Sequence, residues 1–176
     1  MILTKRFINK KIHALSKAAA LRVHCYRSFN DVKYVLLLCE AKDWNRAELC
    51  IHRLKELGKT VHVCVYIQKH DETPIWDYAY LLIEAENDVD MWGFPKKNII
   101  NQLNGLSVDL LLDFTNREQT VMRYLVLQHP AAFKVGAKYE ADVDTYDLSI
   151  VMNDDLHGIP FLFEQVLNYL QAIRSR

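Results

Sequence analysis

Two stretches of the chain, Tyr34–Cys39 (YVLLLC) and Val108–Asp113 (VDLLLD), are apolar almost without alternation. A short continuous apolar run suits a strand covered on both faces, as in a parallel sheet. Val61–Ile67 (VHVCVYI) is rich in β-branched residues and reads as another strand. Tyr78–Ala85, Phe133–Ala137 and Tyr146–Met152 complete the set. Between these runs the apolar period lengthens to that of a helix. From Asp43 to Leu57 the apolar positions are Ala47, Leu49, Cys50, Ile51, Leu54 and Leu57; Asp43 stands where a cap belongs and Gly58 where a helix stops. Pro95 opens a short helix to about Leu103, closed by Asn104-Gly105. A third runs from Arg117 to Gln128 and ends before Pro130. The last begins at Pro160, with Phe163, Val166, Leu167, Leu170 and Ile173 as its stripe.

Strands that alternate with helices imply parallel βαβ units with right-handed crossovers. The expected class is α/β: a three-layer, Rossmann-like open sheet, mostly parallel, of about six strands. An amphipathic basic helix precedes it. Arg6, Lys10, His13 and Lys17 share one face of this helix, with Lys11 beside them, while Leu3, Phe7, Ile8, Ile12 and Leu15 cover the other. The expected organisation is a basic arm over residues 1–30 and one α/β domain over residues 31–176.

Charge changes this picture. The 22 basic and 22 acidic residues cancel, which excludes a strongly basic nucleic-acid protein. The cancellation is between segments: seven basic residues precede the first acid, Asp31, so residues 1–30 carry +7 and the rest −7. A basic amphipathic helix can dock on its own acidic body or on that of a twin subunit in a homodimer. It can also engage an external anionic surface, RNA or membrane headgroups.

Cys39 and Cys64 fall inside strand runs and read as small buried hydrophobes. With no CxxC pair, the cysteines point to a reducing interior, no metal is expected, and the expected location is cytoplasmic. No apolar run reaches the roughly 18 residues of a membrane span. The N-terminus lacks the apolar segment of a secretory signal. It shares its basic, acid-free character with mitochondrial transit peptides, but holds more Lys than Arg and few hydroxyls.

In an open α/β sheet a ligand sits beyond the carboxyl ends of the strands, where strand order reverses. For the order 3-2-1-4-5-6 this lies between the first and fourth strands. The first strand is followed by Glu40, Ala41, Lys42 and Asp43, with no glycine for a dinucleotide pyrophosphate. No Walker A loop, GxSxG or HExxH occurs, and no cofactor is expected. The candidate ligand-binding residues are Glu40, Asp113, Thr115, Asn116 and Arg117; Thr115 or Asn116 is expected to cap the next helix. Asp154, Asp155 and His157 form a trio of the kind that supports acid–base work or a metal and are the catalytic candidates, with turn chemistry before Pro160 as the plainer reading. The Trp92-Gly93-Phe94 loop is read as a plug onto the core, with a partner surface as the alternative.

VDLLLDFTN, then a helix, FKVGAKYE and YDLSIVM, resembles the N-terminal half of heptosyltransferase-type, GT-B-fold glycosyltransferases, with Gly136 matching their basic-apolar-glycine strand. The resemblance covers about a quarter of the chain and brings no catalytic motif; the second domain that holds most of the nucleotide-sugar contacts in those enzymes is not expected within 176 residues. The whole chain is also similar to short, uncharacterised bacterial α/β proteins with a basic N-terminal segment. The expected function is a non-enzymatic binding or adaptor module whose basic helix engages an anionic partner or its own body. The alternative is a small transferase or hydrolase that holds a phosphorylated or nucleotide-sugar ligand at the strand edge.

Overall fold

The six strands of the computed structural model are β1 (Tyr34–Glu40), β2 (Thr60–Ile67), β3 (Tyr80–Glu84), β4 (Leu110–Asp113), β5 (Phe133–Lys138) and β6 (Leu148–Val151). The structure describes residues 10–17, 28–69, 71, 80–115, 119–138, 145–152 and 158–173. The strands pair in the order β3-β2-β1-β4-β5-β6, and each ladder of the sheet is parallel. The five helices of the described residues are α1 (10–17), α2 (Trp44–Glu56), α3 (Lys97–Asn104), α4 (Thr120–Gln128) and α5 (Gly158–Ala172).

Side chains alternate across a strand, so β1 feeds two cores. Val35, Leu37 and Cys39 join Leu110, Leu112 and Val135 under α2 and α5. Leu36 and Leu38 join Cys64, Ile83 and Leu111 under α3 and α4. Both faces of the central strands are therefore dry, which is why their sequence is apolar without alternation. Each buried Leu is worth about 1.5–3 kcal/mol relative to exposure.

Local chemistry sets the ends of the helices. Gly58 closes α2 at φ +76°, and the N–H groups of Gly58 and Lys59 donate to the carbonyls of Lys55 (2.9 Å) and Leu54 (3.0 Å), a Schellman arrangement. Asp43 takes the cap position of α2, but its carboxylate pairs with Arg46 at 3.2 Å instead of capping the backbone. Leu49 leaves the expected stripe and is 64% exposed, because it lies opposite Ile51 on the helix. Ile173 also stays partly exposed, just past the end of α5. Helix α4 begins at Thr120 with Gln119 in the cap position, later than Arg117. Helix α5 begins at Gly158, before Pro160.

Helix α1 docks on the body. Ile12 and Ser16 are buried. The Lys11 Nζ lies 4.4 Å from the Phe94 ring centre and 5.4 Å from that of Tyr124 on α4, within cation–π range. Lys10, His13 and Lys17 lie on the exposed side. Arg6 lies outside the described residues.

Candidate functional site

β1 and β4 are adjacent and the chain leaves them in opposite directions, so the order reverses between them as expected. Each ends in a carboxylate, Glu40 at 1% and Asp113 at 2% exposure. A buried charge must be paired or hydrogen-bonded. The Gln119 amide donates to Glu40 Oε2 at 2.9 Å, and Lys42 Nζ lies 3.1 Å from the same oxygen. Asp113 Oδ1 accepts from the backbone N–H (2.9 Å) and the hydroxyl (2.6 Å) of Thr115, and Oδ2 accepts from the Tyr146 hydroxyl at 2.7 Å. Burial raises the Asp113 pKa above the ordinary carboxylate value, opposed by these hydrogen bonds and by Arg123.

Tyr146 reaches Asp113 across β5 through a gap at Gly136. Gly136 pairs in register with Asp113, and a Cβ placed on it would lie 2.5–2.9 Å from atoms of the Tyr146 ring. The glycine of KVGAK thus has a packing reason: it lets an aromatic ring lie flat on the strand beside a buried acid.

On the other face of the same edge lies an open cleft of about 220 Å³, lined by Lys42, Asp43, Arg46, Phe114, Thr115 and the start of α5 among others. Lys42 and Arg46 are exposed there, above an apolar floor that includes Phe114. Lys42 and Arg46 are each paired with a carboxylate, Glu40 and Asp43, so an anion bound here would share or displace those partners, while the floor offers a place to an apolar group. The buried carboxylates beneath are held by their own chain and serve as scaffold.

Of the candidate ligand-binding residues, Glu40, Asp113 and Thr115 come together at this edge; Asn116 and Arg117 lie outside the described residues. Thr115 does not cap α4; its hydroxyl goes to Asp113. Asp154, Asp155 and His157 also lie outside the described residues. Burial raises the Cys39 and Cys64 pKa values and pushes Cys50 up to about 12, so these thiols are not thiolates at neutral pH. No group of three or more possible metal ligands occurs among the described residues.

Three residues here escaped the sequence reading. By sequence Tyr146 stands only at the start of an expected strand, and Arg46 only inside the expected Asp43–Leu57 helix, with nothing to single out either. Lys134 is fully buried on β5 although lysines seldom are, and its N–H donates to the Asp147 carboxylate at 2.7 Å. The one signal available for Tyr146 was the glycine inside a central strand.

The aromatic loop divides. Phe94 is buried against Tyr124, with ring centres 5.0 Å apart, whereas Trp92 is half exposed.

A family model described as a family of unknown function (DUF6913) matches residues 3–173. No curated protein and no solved structure matches the chain. No helix among the described residues is long and apolar enough to cross a membrane.

Proposed function

We propose that this chain, which belongs to the DUF6913 family of unknown function, is a non-enzymatic binding module whose helix α1 presents a basic face to an anionic partner. The observation that carries the reading is the orientation of α1. Ile12 is buried and Lys11 lies on the Phe94 and Tyr124 rings of the body, while Lys10, His13 and Lys17 are exposed. Joined to the +7 segment that contains it, this face is an electrostatic footprint for an anion-rich surface. The three described cysteines are free, buried thiols, which supports the cytoplasm as the compartment.

Titrating the full chain against an RNA oligonucleotide and against anionic vesicles, at about 50 and about 200 mM salt, tests it. Binding to either that weakens steeply with salt is the expected result. An absence of binding to both at the lower salt overturns it.

The cleft supports a second reading, a phosphorylated or nucleotide-sugar ligand bound at the sheet edge by a small transferase or hydrolase. Lys42 and Arg46 beside the apolar floor favour it. The likeness of the β4–β6 region to heptosyltransferase-type enzymes lends it less, since Gly136 already has a packing role against Tyr146. A panel of phosphosugars and nucleotide sugars should raise the melting temperature of the full chain, and Arg46→Ala should remove the rise. No rise across the panel counts against this reading.

A further inference from the structure

Beside α1 stands a tight turn, residues 88–97, that carries the most exposed large apolar side chain described. Met91 is 88% exposed and its neighbour Trp92 51%. The turn is closed on itself. Val89 and Pro95 form an antiparallel bridge, the Asp90 N–H donates to the Phe94 carbonyl at 2.8 Å, and the Gly93 N–H donates to the Asp90 carbonyl at 2.9 Å. Asp90 Oδ1 accepts from the N–H groups of Trp92 and Phe94, at 2.9 Å each. Gly93 takes φ +83°, a left-handed conformation that favours glycine. The backbone is thus held by its own bonds. Phe94 points inward under Lys11, and Met91 and Trp92 are left at the apex.

Lys96 and Lys97 are exposed at the foot of the turn, and α1, whose Lys11 lies on the Phe94 ring, carries the exposed Lys10 and Lys17. Acids stand here as well: Asp90 accepts from backbone N–H groups as above, Asp88 Oδ2 accepts from the Glu84 N–H at 2.9 Å, and Glu86 pairs with Lys69 at 2.7 Å. An apolar tip with a Trp, on a turn beside exposed lysines, matches a bilayer interface, where indole rings settle at headgroup depth and lysines meet anionic lipid. The pre-formed turn loses little conformational freedom on insertion.

We infer that α1 and the 88–97 turn together form a docking face for an anionic lipid bilayer, with Met91 and Trp92 as the inserted tip. The inference rests on the reading of α1 as a basic face; it adds the partner's chemistry and a second element. Lysines suit a diffuse layer of headgroups, whereas structured recognition of nucleic-acid phosphates favours arginine forks, and the tip's Met91 adds apolar surface with no stacking face beside Trp92.

The test uses the full chain with vesicles of phosphatidylcholine alone or mixed with phosphatidylserine, read by co-sedimentation and tryptophan emission. Binding is expected only to the mixed vesicles, with a blue shift. Met91→Ser/Trp92→Ser should weaken it about tenfold and abolish the shift. Lys10→Glu/Lys17→Glu should weaken it on the order of 25-fold or more. If the tip variant binds as tightly as the parent while the charge variant does not, the bilayer-insertion inference falls and the basic-face reading stands. If the charge variant binds normally, the basic-face reading itself falls. Binding to RNA but not to the mixed vesicles overturns the inference alone.

Discussion

The hydrogen atom that Gly136 carries in place of a side chain decides whether Tyr146 can reach Asp113. With a methyl at that position, a carbon would stand 2.5–2.9 Å from the ring, so either the ring or the strand must move. Gly136→Ala should destabilise the protein by about 1–3 kcal/mol, the usual cost of overpacking. In Gly136→Ala/Tyr146→Ala the clash has no partner, and a double-mutant cycle in urea should return a coupling of about 1 kcal/mol or more. Additive losses would show that the two residues do not meet. Asp113 makes a prediction of its own about pH. Burial raises its pKa, so the folded chain holds this proton more tightly than the unfolded chain. Its contribution to stability is therefore full below the ordinary carboxylate value of 3.8 and is lost as pH rises through the raised value. In Asp113→Asn this part of the pH dependence should vanish, while the hydrogen bonds from Thr115 keep an acceptor. Urea midpoints of the two chains between about pH 3 and 7 check this; parallel curves would place the titration elsewhere.

The next scale is that of the elements, where one lysine ties two of them together. Lys59, just beyond the Schellman turn of α2, donates from Nζ to the carbonyls of Phe29 (2.6 Å) and Val32 (2.8 Å) and sits 4.3 Å from the Phe29 ring centre. It pins the 29–31 turn that leads into β1. Lys59→Met keeps the stem but leaves two carbonyls without this donor, and should cost about 1–3 kcal/mol in urea unfolding. A loss near zero would mean that water replaces the ammonium freely. Elements of this kind were legible in the sequence to different degrees. The central strands β1 and β4 are legible to within a residue or two because burial on both faces writes itself as an unbroken apolar run, whereas the half-buried edge strands β3 and β6 rest on their place in the order of elements. The start of α4 was not, because Thr115, a fitting cap by residue type, spends its hydroxyl on Asp113 instead. A competing partner far along the chain cannot be seen from local residue preferences. For the same reason the Asp113–Tyr146 bond, which spans 33 residues, left only Gly136 as its trace.

Across the whole molecule, the alternation of strand and helix implied a parallel sheet, and the order expected of a Rossmann-like class is the order observed, with the switch point between β1 and β4. The chemistry at that point was only partly legible: the sequence placed Glu40, Asp113 and Thr115 there, but not that the two acids lie buried and engaged while Lys42 and Arg46 face the cleft. The charge split was legible in full, yet its meaning depended on how α1 lies. Ile12 is buried and Lys11 lies on aromatic rings, while Lys10 and Lys17 stay exposed. On the proposed reading, screening limits the reach of this face to about 8–10 Å at physiological salt, so binding to an anionic surface is expected to weaken as salt rises. The most direct measurement compares the affinity of the full chain and of Lys10→Glu/Lys17→Glu for phosphatidylserine-containing vesicles and for an RNA oligonucleotide at low salt, with circular dichroism as the check on folding. The account predicts a loss on the order of 25-fold or more for whichever partner binds; equal affinities in two equally folded chains would contradict it.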